Sequence, residues 1–143
     1  MSELSLIVRR VIRAPSARVF KAWTTPDQLR AWWGPKGVAC CEAQVDLRPG
    51  GSYRIGNQLP DGKIIWIWGE FNTVEAPTKL IYTWNTDSSQ DAERVTVRFE
   101  EHHDGCEVIV VHERIATEPL RVGHNAGWQG CLDGLAHFDF GLE

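Results

Sequence analysis

The sequence predicts an α+β fold: a curved antiparallel sheet wrapped around one long C-terminal helix, with two short helices after the first strand. Three observations carry that reading. Between residues 38 and 115 the apolar residues recur with a period of two, in six runs separated by turn signals. The last stretch, 117–142, changes to helical spacing and is long enough to cover a sheet. Ahead of the six runs lie one strand-like segment and two short helical signatures, each with its own start signal.

Residues 4–12 alternate imperfectly, with Leu6, Val8, Arg10 and Ile12 on one face and Ile7, Arg9 and Val11 on the other. Ala14-Pro15 ends that strand. Ser16 is read as an N-cap, followed by Val19, Phe20 and Trp23 on a short apolar face. Thr25-Pro26-Asp27-Gln28 is a second start: Thr25 caps, Pro26 suits the first helical position, and Gln28 completes a capping box. Leu29, Trp32 and Trp33 follow before Gly34-Pro35 stops the helix.

The strand runs then read 38–47, 52–57, 63–74, 79–85, 93–101 and 106–115. Pro49-Gly50-Gly51, Pro60-Asp61-Gly62, Ala76-Pro77, a polar loop at 86–91 and His103-Asp104-Gly105 separate them. Connections this short pair neighbouring strands antiparallel. One face of such a sheet then needs cover, and the C-terminal helix supplies it.

Within that helix Leu120, His124, Trp128, Cys131, Leu135, Phe138 and Leu142 form one stripe at helical spacing. A row of glycines runs beside it: Gly123, Gly127, Gly130 and Gly134. Each costs a helix about 0.5–1 kcal/mol relative to alanine, so the row needs a compensating reason. Either the backbone approaches another surface closely, or the missing side chains leave space for something else.

Alternation places Leu80, Tyr82 and Trp84 on the concave face, with Val95, Val97 and Phe99, and with Val108, Val110 and His112. The run 63–74 is apolar on both faces. Trp66, Trp68 and Glu70 lie on one, Ile65, Ile67, Gly69 and Phe71 on the other, and alternation does not decide between them.

At 143 residues, with 43% hydrophobic and 24% charged content, the chain reads as one domain, 1–143. Its net charge of −4 and scattered basic residues argue against a nucleic-acid footprint. There is no apolar run near twenty residues for a membrane span, and no secretory signal, so the expected location is the cytoplasm, with Cys40, Cys41, Cys106 and Cys131 reduced. Gly50-Gly51 precedes a strand rather than a helix, so no nucleotide loop is present and no cofactor is expected. His102, His103 and Cys106 cluster at a hairpin tip but match no closed metal site, so no metal is expected. Asp46 and Arg48 are read as a surface ion pair.

Several stretches resemble a known family. They are 10–23 (RVIRAPSARVFKAW), 24–34 (TTPDQLRAWWG), 46–51 (DLRPGG), 69–84 (GEFNTVEAPTKLIYTW) and Gly127-Trp128. In this order they are similar to bacterial proteins related to the activator of Hsp90 ATPase, within the START-like, or Bet v 1-like, SRPBCC superfamily. The resemblance implies a helix-grip fold with a hydrophobic tunnel between sheet and long helix. It implies uses that differ among members: ligand binding, polyketide cyclisation or chaperone contact. Fold alone does not select among them.

The aromatic content, seven tryptophans in one small domain, points to a small apolar or aromatic ligand. The candidate binding residues are Trp33, Trp66, Trp68, Tyr82, Trp84, Phe99, His112 and Trp128, with Trp33 preferred over Trp32 as the lining ring. His112 would orient a polar group, with Glu70 beside it if Trp66 and Trp68 face inward. The alternatives are a cyclase- or hydratase-like enzyme using His112 as general base, and a chaperone-interaction domain with a filled core.

Overall fold

Period-two patterning builds one antiparallel sheet of seven strands in the computed structural model, which describes residues 3–34, 37–87 and 91–142. Pro35 and residues 88–90 of the expected loop lie outside the described residues. The elements are β1 (Leu4–Ile12), α1 (Ser16–Thr24), α2 (Pro26–Trp32), β2 (Ala39–Val45), β3 (Ser52–Gln58), β4 (Ile64–Glu75), β5 (Lys79–Trp84), β6 (Glu93–His102), β7 (Gly105–Ile115) and α3 (Glu118–Ala136). Their order in the sheet is β1-β7-β6-β5-β4-β3-β2. Six strands thus pair neighbour to neighbour, while β1 crosses to the far edge and pairs with β7. The class is α+β of the helix-grip kind, as the sequence predicts.

Three local expectations are corrected. Ser16 is the first helical residue rather than the cap, and Pro15 occupies the N-cap with extended dihedrals. Thr25 does sit at the N-cap of α2 with Pro26 after it, but its side chain makes no capping bond. The backbone supports the corner instead: Thr25 N–H donates to Lys21 O at 3.0 Å and Leu29 N–H to Thr25 O at 2.8 Å.

The third correction concerns α3, which stops at Ala136 and not at Leu142. Beyond it Phe138 and Phe140 pack edge to face at 4.9 Å and lie against the core. Arg18 donates to Phe140 O, and Gly141 adopts a φ of +72° that ends any helical path. At its start α3 is capped by Thr117, whose Oγ1 accepts from Leu120 N–H at 3.3 Å. Its buried residues are Trp128, Cys131, Leu132 and Leu135, all in its second half.

β4 decides its own register. Ile67, Gly69 and Phe71 are buried, whereas Trp68 and Glu70 are exposed and Trp66 is half-buried. Trp66 lies opposite Gly56 on the outer face, where the absent Cβ leaves room for its ring, and Arg54 stacks 3.7 Å above it. On the inner side Gly69 sits so close to Thr83 that a Cβ would stand 2.1 Å from its carbonyl oxygen.

Candidate functional site

Glu93, His112, His124 and Trp128 meet between the sheet and α3. Glu93 opens β6 with the same parity as Val95, Val97 and Phe99, so it faces inward and is only 3% exposed. His112 stands across from Val95 on β7 and is fully buried. The α3 seam brings in Trp128 and, one turn earlier, His124.

The hydrogen-bond chain fixes the protons. Trp128 Nε1 can only donate, and it donates to His112 Nδ1 at 3.0 Å. Nδ1 therefore carries the lone pair and Nε2 the hydrogen, which is given to Glu93 Oε1 at 2.7 Å. His124 Nε2 donates to the same oxygen at 2.9 Å, and the two imidazoles stack at 4.5 Å. One carboxylate oxygen thus holds two imidazole N–H groups.

Burial would raise the Glu93 pKa, but the hydrogen bonds from His112 and then His124 outweigh it and hold the carboxyl at about 2. The His112 pKa is lowered too, here because burial outweighs the opposing pull of Glu93. An imidazolium here would also turn a hydrogen toward the Trp128 N–H, so the geometry favours the same neutral form. Glu93 is a fixed anion and His112 a fixed neutral bridge.

The ligand atoms of Glu93, His112 and His124 lie within 4.8 Å of one another, which invites a metal reading. The geometry fits it poorly. Donors bound at about 2.0–2.2 Å around a tetrahedral ion stand more than 3 Å apart. Here Glu93 Oε1 and His112 Nε2 are 2.7 Å apart, and the nitrogen that would ligate carries the proton. A second group, His102, His103 and Asp104, lies at the β6–β7 hairpin. There His102 Nδ1 already accepts from Asp104 N–H at 3.0 Å, while Cys106 is buried away from the tip.

Beside the histidines is a cavity of about 130 Å³. On α3 it is bordered by half-buried Gly127 and, at its open rim, exposed Gly123, beside His124, Trp128 and Cys131; a Cβ built on either glycine meets nothing within 4 Å. Gly134 is the opposite case: a Cβ there would stand 2.4 Å from Trp32 O, so this glycine permits close packing on the end of α2. The glycine row therefore does two jobs in one helix. Facing the cavity are Trp33, Trp84, Trp128, Asn57, Ile67 and His124. Trp33 Nε1, Trp84 Nε1 and Asn57 Oδ1 are buried without a hydrogen-bond partner. Groups left so cost about 1–3 kcal/mol each.

Of the residues expected at the site, Trp33, Trp84, His112 and Trp128 come together. Trp32 instead spends its N–H on Ala22 O at 2.9 Å. Tyr82 lies deeper, against Tyr53 and Phe71 and beside a void of only about 20 Å³. Phe99 is packed edge to face on Phe20 and Trp23 and is core. Trp66 and Trp68 are on the outer face, and Glu70 with them, because Ile67 and Phe71 take the inner positions. Asp46 and Arg48 form an exposed pair at 2.9 Å, as read.

Glu93, His124 and Asn57 are additions to the sequence-derived set. Glu93 shares the inward parity of Val95, and His124 stands in the α3 stripe, so both signals were present in the pattern. Asn57 continues the inward parity of Tyr53 and Ile55, which a turn-rich neighbourhood obscures.

The fold has many relatives among solved structures. A protein of Chromobacterium violaceum is 25% identical over 92% of this chain and 94% of its own, with a TM-score of 0.85. The AHSA1-like protein of Aeromonas hydrophila is 27% identical, covering 95% of this chain and 92% of that one, at 0.79. The AHSA1 protein of Silicibacter pomeroyi, 21% identical over 93% and 95%, superposes at 0.82 and speaks to fold alone. No curated protein matches the chain. The family model described as "Activator of Hsp90 ATPase homolog 1-like protein" matches residues 13–138. With nearly its whole length matched in this way, the chain belongs to that family, within the Bet v 1-like helix-grip proteins.

Proposed function

We propose that the protein binds a small apolar or aromatic molecule in the cavity between α3 and the inner face of the sheet. One observation carries this reading: half-buried Gly127, with exposed Gly123 one turn before it at the rim, leaves space beside the core-covering helix that indole rings border. Packing and helix propensity alone would favour a side chain at Gly127, where a Cβ clashes with nothing. An engineered cavity of about 150 Å³ accommodates benzene, so this one suits a single ring. The filled-core alternative has less support for the same reason, and chaperone contact rests on family membership alone. Among the described residues no helix is long and apolar enough to cross a membrane. Cys40, Cys41, Cys106 and Cys131 are all free, which supports a reducing compartment, the cytoplasm, as the place of binding.

The test is tryptophan emission titrated with toluene, phenol and acetophenone. Saturable change in the wild type, abolished by Gly127→Leu, is the expected result. Emission that never saturates, or that saturates equally in the Gly127→Leu protein, would sink the reading.

A second reading, a cyclase- or hydratase-like activity, passes from His112 to His124. Both nitrogens of His112 are engaged, whereas His124 gives Nε2–H to a carboxylate and has no hydrogen bond at Nδ1 among the described residues. A carboxylate-oriented imidazole with one free nitrogen on a cavity is a general-base arrangement. Hydration of a cyclic enone that disappears in His124→Phe would favour it, and turnover unchanged by that substitution would remove it.

A further inference from the structure

One ring nitrogen at the cavity narrows the class of ligand, and this step rests on the binding reading above. We infer that the ligand is an uncharged, single-ring molecule that donates a hydroxyl hydrogen to Nδ1 of His124, a phenol by class. Of the three groups that meet at the carboxylate, His124 alone keeps an appreciable open surface. Its side chain is 14% exposed, against 4% for Glu93 and 0% for His112. It borders the cavity between half-buried Gly127 and the rim at Gly123.

What is open on that ring follows by elimination. Nε2 is held by Glu93 Oε1 at 2.9 Å, and one face lies on the His112 ring at 4.5 Å. Nδ1 takes no hydrogen bond among the described residues, and it is not one of the partnerless atoms shut off from water. Trp33 Nε1, Trp84 Nε1 and Asn57 Oδ1 are the contrary case, sealed in the packing and out of a ligand's reach.

Polarity then decides the class. The Nε2 hydrogen is spent on a fixed anion, so the neutral ring carries its lone pair on Nδ1. The carboxylate behind the ring polarises it and makes Nδ1 a better acceptor. Such an atom calls for a hydrogen, and a carbonyl would meet it lone pair to lone pair. Among the described residues no lysine or arginine borders the cavity. A carboxylate would therefore be buried near the Glu93 anion with no cation to offset its lost hydration. An ammonium would bring three donors to one acceptor, and Glu93, only 3% exposed, is out of its reach. A phenol brings one hydrogen on one ring, which suits a space of about 130 Å³.

The full chain, with its histidines labelled with nitrogen-15, is titrated with phenol, with toluene of matching shape, and with benzoate and benzylammonium. Phenol is expected to bind at least as tightly as toluene, although its hydroxyl gives up water, and to move the His124 Nδ1 resonance upfield. His124→Phe assigns that resonance and keeps a ring in place without the acceptor. In that variant phenol should lose about tenfold in affinity relative to toluene. Toluene binding more tightly than phenol in the wild type, or a phenol-to-toluene ratio unchanged in His124→Phe, overturns the hydroxyl assignment but leaves the cavity reading intact. So does an Nδ1 resonance that stays put, or one that shows a bound hydrogen in the free protein at neutral pH. Tightest binding by benzoate or benzylammonium overturns the uncharged class. If none of the four binds, the cavity reading itself fails. Should His124→Phe not fold, the resonance and the ligand ranking in the wild type still decide.

Discussion

The indole N–H of Trp128 ends on Nδ1 of His112, 3.0 Å away, and so one helix side chain sets the tautomer of a strand histidine. Trp128→Phe keeps the ring against Trp33 and Trp84 but removes the donor. Stability should fall by about 1–2 kcal/mol in urea unfolding, the usual loss for one buried hydrogen bond. The freed Nδ1 can then take a proton, so the His112 pKa should rise toward its ordinary value in an NMR titration. An unmoved titration would mean that burial alone holds the ring neutral.

Acid should unfold the protein in two stages. His112 is depressed below its ordinary 6.5, so below that pH the unfolded chain takes a proton that the folded one refuses, and stability falls as pH drops. Glu93 lies at about 2 instead of 4.5, so its contribution is complete above 4.5 and is lost between there and 2. For a carboxyl this buried that window is worth about 3 kcal/mol. Glu93→Gln should flatten the lower stage and deepen the upper one, since the His112 ring loses the carboxylate that favours its protonated form, as read from urea midpoints across pH.

Two glycines of α3 should answer alanine in opposite directions. Gly127→Ala should stabilise by about 0.5–1 kcal/mol, since its new methyl meets open space and the helix gains propensity. Gly134→Ala should destabilise, because the methyl would meet Trp32 O at 2.4 Å and the end of α2 must shift. The first change should also weaken acetophenone binding, a cost in function paired with a gain in stability. Thermal unfolding and the ligand titration read both effects.

On the outer face, Trp66→Ala and Trp68→Ala should leave ligand affinity within twofold of the wild type. Arg54→Ala should cost about 0.5–1 kcal/mol through the lost stacking on Trp66. A marked loss of affinity in either tryptophan variant would put the site on the wrong side of the sheet.

Strand order, turn positions and the covering helix were legible because each depends on local periodicity. The facing of β4 was not, since Ile65, Ile67 and Phe71 are as apolar as Trp66 and Trp68, and the choice is made across strands, by Gly56 and Arg54 outside and by the Thr83 backbone carbonyl against Gly69. The end of α3 was not legible either. Phe138 continues the stripe in sequence, and only the packing of Phe138 on Phe140 shows that leaving the helix covers both rings better. At the site, parity delivered His112 and Trp84, and the same rule extended two residues back reaches Glu93. A buried carboxylate reads as surface until its two imidazole partners, 19 and 31 residues away, are seen in place.

The buried residues of α3 begin only at Trp128, and the turns before it carry exposed Gly123 and half-buried Gly127 beside the cavity. One helix therefore has two stabilities. Its second half is anchored and should exchange amide hydrogens only when the whole domain unfolds. Its first half, held by the Thr117 cap, partly buried Leu120 and the His124–Glu93 bond, should open far more often on its own. Such fraying would act as the cavity's door, and a bound molecule should slow exchange at residues 120–127 while leaving 131–135 unchanged.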